Sequence, residues 1–256
     1  MDEIIKLMSG LKSKVSSSVK RKVREIITLA TDYSYLGASF TFNADEDLDS
    51  EVNRILIELS DEILAEIDMR AAKAVVESGN EDDINVIFAY IHRDIEGKTA
   101  TYRIDSYSSH LKFLLEGYIA VGLADKWTKG DFITSLASFL ANPMGFAKYK
   151  DAFGTNDFVF TENGQPHFGV GVPINPIEGM TLVGGYMIDE AFQHGRLLGF
   201  RKDANIIGYR VKRNSTYDCP LCDELCVGIH PLDEEVLPAH PRCVCSMIPV
   251  YSTEIQ

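Results

Sequence analysis

The chain has 256 residues, 45% hydrophobic and 25% charged, enough for one large or two small domains with ordinary cores. Its net charge of −13 argues against broad wrapping of nucleic acid, which needs a basic surface, while leaving room for a local basic patch. No apolar run approaches the ~20 residues of a membrane span, and the odd count of five cysteines, with Met1-Asp2-Glu3 unlike a secretion signal, predicts a protein made in a reducing cytoplasm.

The first 30 residues are basic and helical in pattern. Lys6, Lys12, Lys14, Lys20, Arg21, Lys22 and Arg24 outnumber Asp2, Glu3 and Glu25, while Ile4, Leu7, Leu11, Val15, Val19, Val23 and Ile26 recur at steps of three and four. This pattern fits a packing helix with a solvated basic face, or an arm that touches an acidic partner or nucleic acid. Ser16-Ser17-Ser18 marks a candidate break, and residues 31–42 read as a loop.

Charge then changes sign, with sixteen acidic residues from Asp45 to Glu96 against Arg54, Arg70, Lys73 and Arg93. Leu48, Val52, Ile55, Leu59, Ile63, Ile67, Ala71 and Ala74 trace a long helical stripe, with Asp47 or Asp49 as the expected N-cap. Glu58, Asp61, Glu62 and Glu66 are expected on a solvated outer face, without the pocket that catalytic carboxylates need to shift their pKa values. A second helix is predicted from Asp82 to Arg93, with Ile84, Ile87, Phe88 and Ile91 inward and His92 at its exposed end. Helix resumes from about Ser106 to Ala124. Trp127 follows as a core or interface anchor, and Phe132 to Ala141 forms another helix, stopped by Asn142-Pro143.

Residues 143–180 differ in kind. Glycine, proline and spaced aromatics such as Phe153, Phe158, Phe160 and Phe168 predict short strands and turns. Gly169-Val170-Gly171-Val172-Pro173 lacks the Lys-Ser/Thr of a phosphate loop and does not complete a dinucleotide fingerprint, so a glycine-rich hairpin with a surface His167 is the better account. From Thr181 to Lys202 a helix is expected, with Leu182, Val183, Tyr186, Met187, Phe192, Leu197 and Phe200 apolar and Glu190, His194, Arg196 and Arg201 between them. Asn205 to Arg213 alternates as a strand. The expected class is α+β, with a basic arm and loop over 1–42, a helical domain over 43–142 and a small α+β domain over 143–256.

Chemistry concentrates near the end, as C-x2-C-x17-H-x2-C-x-C from Cys219 and Cys222 to His240, Cys243 and Cys245. Two short clusters of thiolate and imidazole donors can converge tetrahedrally on Zn²⁺, which accepts both. Cys219, Cys222, His240, Cys243 and Cys245 are the candidate metal ligands, and Cys226 is the weakest of the thiols. Inert buried thiols and a disulfide are the alternatives. Pro220 and Pro241 are expected to favour turns and to discourage helix through the clusters. Four protein ligands would leave no place for a catalytic water, so the expected zinc is structural and no convincing catalytic constellation is found. Two other classes compete. One is a metal-dependent nuclease or hydrolase using His240 with Glu234 or Glu235. The other is a DNA-binding zinc module using Arg210, Lys212, Arg213 and Arg242.

The order helix, strand, Cys-x2-Cys, acidic loop, His-Pro-x-Cys-x-Cys resembles the phage Mu F-like minor head protein family, also described as phage head morphogenesis proteins. The likeness is carried by the Glu-containing helix Asp189 to Leu197 with its His194-Gly195-Arg196 segment, the strand Ile207 to Arg213, Asp218-Cys219-Pro220-Leu221-Cys222, and the block Pro238 to Cys245 with a proline at 249. Two departures from the family pattern are Val244, in place of the usual Arg, and Asp223 to Gly228, where an Asp-Gly is expected. The resemblance implies a virion protein bound near the portal inside the procapsid, serving head assembly and DNA packaging or ejection. Its implied partners are the portal protein and other head proteins, with packaged DNA meeting the basic N-terminal stretch, and no membrane.

Overall fold

The computed structural model describes residues 2–95, 97–141, 175–214, 218–240 and 243–255, and the backbone alone of 156–160 and 166–170. Five helices come first: α1 (Asp2–Ala30), α2 (Glu46–Ser78), α3 (Ile84–Ile91), α4 (Ala100–Ala124) and α5 (Lys129–Ala141). An antiparallel hairpin follows, β1 (Asn156–Phe160) with β2 (Pro166–Val170), Phe158 lying opposite Phe168. The chain then forms α6 (Pro176–Lys202), β3 (Ile206–Lys212), α7 (Pro220–Leu225) and β4 (Ser246–Tyr251). Strands β3 and β4 pair antiparallel, with Tyr209 opposite Pro249. The protein is thus a helical body carrying a small C-terminal α+β unit, as expected. The hairpin agrees with the glycine-rich reading, whereas Gly171 to Pro173 and the His167 side chain lie outside the described residues.

The opposed charges of the first two long helices meet each other. The apolar stripe of α1 is buried, and two of its cations, Arg21 and Lys22, reach carboxylates of α2. Lys22, 6% exposed, places its ammonium 2.5 Å from Glu58 Oε2, and Arg21 pairs with Glu62. Glu58 and Glu62 therefore bridge helices instead of forming a purely solvated face. The Lys22 ammonium, with Arg54 beside it, holds Glu58 below the usual carboxylate range. Glu66 pairs at 2.7 Å with Arg70, and both side chains are mostly buried. The three serines do not interrupt α1: Ser17 donates back to the Lys14 carbonyl at 2.8 Å, and Ser18 donates to Glu62 Oε1 at 2.8 Å.

Helix ends follow local capping chemistry. The expected loop over 31–42 is wound largely into 3-10 turns, and its Phe40 and Phe42 are buried. The N-cap of α2 is Asp45, whose Oδ1 accepts from Leu48 N at 2.9 Å. Asp47 and Asp49 instead occupy its first turn, where they suit the positive end of the helix dipole. Gly79, at φ +76, ends α2 in the left-handed region. His92 caps α3 and is bonded to Asp68 Oδ1 at 2.8 Å. Helix α4 starts at Ala100, earlier than expected, because Thr99 Oγ1 accepts from Tyr102 N at 3.2 Å. Trp127 anchors the next turn edge-on to Tyr118 and Phe132.

Helix α6 organises the rest. Asn175 caps it through Ile177 N at 2.9 Å, and Pro176 fills the first position, where a missing N–H costs nothing. It packs against α1, α2, α3 and α4. The approach is close enough that a Cβ on Gly184 would come 2.6 Å from Leu11 Cδ2, and one on Gly179 would come 2.1 Å from the Tyr107 ring. One apolar core runs from Ile4 to Phe192, and a second, smaller group surrounds Leu197, Tyr209 and Met247. Among the described residues, no helix is long and apolar enough to cross a membrane.

Candidate metal centre

The first donor pair is set by a short helix. Cys219 is the N-cap of α7, in an extended conformation, and Pro220 occupies the first helical position. The expectation that Pro220 discourages helix fails for that reason: at this position proline is pre-set for helix and loses no hydrogen bond. Asp223 N and Cys226 N then donate to the Cys219 and Cys222 carbonyls at 2.9 and 3.1 Å, so the two cysteines, three residues apart, share a face of the turn. The second cluster forms a tight turn of its own, with Cys243 N donating to the His240 carbonyl at 3.0 Å. Pro241 and Arg242 lie outside the described residues.

These two turns meet. Cys219 Sγ and Cys222 Sγ each lie 3.2 Å from His240 Nε2. Zn–S bonds of about 2.3 Å and a Zn–N bond of about 2.0 Å at tetrahedral angles imply an S···N separation of roughly 3.5 Å, so the spacing suits a common ion. Cys222, Cys243 and Cys245 form a second group, and within each group the ligand atoms lie within 4.8 Å of one another. All five candidate ligands are thus brought together in two overlapping triads that share Cys222, whereas Cys226 belongs to neither. Every cysteine is a free thiol, so the disulfide alternative is not realised.

Burial and charge explain why this cluster suits a cation. Cys222, Cys243 and Cys245 are each 1% exposed. Burial pushes the Cys243 thiol up to about 12, and burial together with the neighbouring thiols drives Cys222 up as well. Crowded, desolvated sulfurs keep their protons unless a positive ion offsets the charge, and a bound metal does so by displacing them. The donor set is therefore coherent for a metal that takes sulfur and nitrogen.

The carboxylates of the hydrolase reading are elsewhere. No carboxylate enters either triad among the described residues. Glu234 is exposed, its carbonyl accepting from Tyr209 OH at 2.8 Å, and Glu235 Oε2 faces His194 Nδ1 at 2.8 Å. Of the cations suited to a DNA module, Arg210 and Lys212 are exposed and Arg213 pairs with Asp223.

The cluster is tied to the body through α6. Gln193 Nε2 donates to the Cys245 carbonyl at 3.0 Å and to Asp189 Oδ1 at 3.1 Å. His194 stacks on Tyr90 with ring centroids 3.9 Å apart, and Arg93 reaches Glu190 at 2.7 Å. Burial pushes Asp189 up to about 7. Asp189, Glu190, Gln193 and His194 are all buried, so Glu190 and His194, expected between the apolar positions of the helix, lie in the interior with them. The available signal was the Gly184-Gly185 pair and Gly195, which leave α6 narrow enough to be covered on several sides. No protein-family model, curated protein or solved structure matches this chain.

Proposed function

We propose that the chain is a metal-stapled assembly protein, a minor head protein of a tailed phage or prophage of the Mu F-like kind. In this reading it docks at the portal inside the procapsid and assists head assembly and DNA packaging or ejection, with structural zinc as the metal. The observation that carries the structural role is the composition of the donor cluster. It gathers four thiols and one imidazole in two triads that share Cys222, with no carboxylate among the described residues, and a fourth donor from the neighbouring triad would close the shell of an ion held by the first against a reacting water. The mixture of sulfur and nitrogen favours zinc over hard cations. The family likeness over residues 181–250 supports the virion setting. Lys12, Lys14, Lys20 and Arg24 remain on the exposed side of α1, where an acidic portal surface or DNA would meet them.

Metal analysis with a chelator-treated melt tests the staple: one zinc per chain, and loss of the C-terminal unit on its removal, are expected. A fold that survives chelation while a hydrolytic activity disappears would favour the enzyme instead. Truncation after residue 213 tests the setting, since the shortened chain should stay helical but fail to join portal complexes. Undiminished incorporation into heads would refute the C-terminal unit as the docking element.

A further inference from the structure

The five donors of the thiol cluster do not lie around one point. Within each triad every pair of ligand atoms is within 4.8 Å, but among the described residues no set of four meets that spacing. A four-coordinate zinc with bonds of about 2.3 Å to sulfur holds its thiolates roughly 3.8 Å apart, so an ion seated in one triad gains a fourth donor only if a side chain of the other moves toward it. As arranged, the cluster is a pair of three-donor sites. One offers two sulfurs and a nitrogen (Cys219, Cys222, His240), the other three sulfurs (Cys222, Cys243, Cys245), and the Cys222 Sγ belongs to both. The backbone holds the two sites from different sides. Cys219 and Cys222 are set by α7, whereas the Cys245 carbonyl is bonded at 3.0 Å to Gln193 of α6. The Val244 carbonyl between the last two cysteines accepts from Asn214 Nδ2, just past β3, at 2.8 Å.

Three soft donors without a carboxylate suit a monovalent thiophilic ion, which thiolates select and which is satisfied by three ligands where structural zinc takes four. A thiolate also keeps lone pairs beyond its first metal bond, so one sulfur can serve two ions. We infer that the cluster accepts two thiophilic monovalent ions of the Cu(I) class, one in each triad, with the Cys222 thiolate bridging them. Each ion displaces to solvent the protons of the thiols it binds, and neither metal nor sulfur changes oxidation state. Cys226, outside both triads, takes no part. The inference rests on the zinc reading in taking these thiols as ligands: zinc is the single-ion occupant of the donors, and the monovalent pair replaces it.

The test adds Cu(I), as its acetonitrile complex under nitrogen, to the full-length chain isolated from zinc-supplemented medium, with Ag(I) as a redox-inert counterpart. Native mass spectrometry counts the bound ions, a colorimetric chelator reads released zinc, and X-ray absorption detects metal–metal scattering. Two copper or two silver ions per chain, copper–copper scattering and release of the zinc are expected. Cys222→Ser should abolish that scattering and weaken Cu(I) retention against bathocuproine disulfonate at least tenfold, while Cys226→Ser leaves both unchanged. Cys219→Ser with His240→Ala should lower the count to one. If these variants do not fold, the wild-type count and scattering decide. Saturation at one ion, a count above two, or scattering that survives in Cys222→Ser would overturn the inference. The zinc reading fails separately, if the chain as isolated carries no zinc yet takes up two copper ions. One zinc replaced by a single copper would leave the staple standing and refute the pair.

Discussion

The buried residues of the helical body run from Ile4 on α1 to Phe192 on α6 without a thiol among them, whereas three of the eight buried residues grouped around Leu197 and Tyr209 are cysteines. The body has five long or medium helices to close over its apolar side chains, each contributing about 1.5–3 kcal/mol when fully buried. The C-terminal unit has two short strands, a six-residue helix and an acidic loop fastened at Tyr209. Elements that small shield little apolar area on their own. Their few buried side chains include thiols that could hold a metal ion, so burial by area in one region sits beside a donor cluster in the other.

The sharpest way to break this comparison is to remove donors. Cys222→Ser with Cys243→Ser should lower hydrogen-exchange protection in β3 and β4 by more than about a thousandfold, given the roughly 10–16 kcal/mol of structural zinc sites. Amides of Ile55 and Ile67 in α2 should keep theirs. Equal losses in both regions would mean that they fold as one unit.

The complementary experiment injures the body alone. Gly179→Ala places a Cβ 2.1 Å from the buried Tyr107 ring and should cost about 3 kcal/mol in urea unfolding. The chelator-sensitive transition should stay where it is.

Acid separates the two regions next. Burial pushes His110, inside the body, down to about 4 from an ordinary 6.5. The folded state then resists a proton that the unfolded chain accepts, so the associated stability is complete above 6.5 and declines as pH falls toward 4. His110→Leu should flatten that decline, gaining about 2 kcal/mol on the wild type between pH 7.5 and pH 5 in paired urea melts. A parallel decline in the two proteins would assign the acid sensitivity to the thiol cluster.

Coupling between the regions is the smallest effect. Gln193→Leu removes the donor to the Cys245 carbonyl and should cost about 1 kcal/mol, widening the gap between the two melting transitions. Coincident transitions in this variant would show that the link lies elsewhere.

Much of this was legible in the sequence where the signal is periodic or spaced. The stripes of α1 and α2 fixed those helices, the alternation of 205–213 fixed β3, and the ligand spacing found all five members of the two triads. What escaped depends on partners that adjacent residues do not announce. Ser18 continues a helix because Glu62, 44 positions away, accepts its hydroxyl. Asp45, not Asp47 or Asp49, caps α2, a choice among chemically equal carboxylates that only backbone geometry makes. The burial of Glu190 and His194 on α6 was not legible because their cover, Tyr90, Arg93 and Glu235, comes from distant segments.

Helix α6 belongs to both regions. Its first turns lie against Tyr107 and Leu11, and its later turns carry Gln193, His194 and Leu197 to the thiol cluster. At 1.5 Å per residue its 27 residues make a rod of about 40 Å. Whatever grips the C-terminal strands therefore holds the innermost beam of the bundle, and a pull applied there travels along a stiff axis to the far end of the molecule without crossing a hinge.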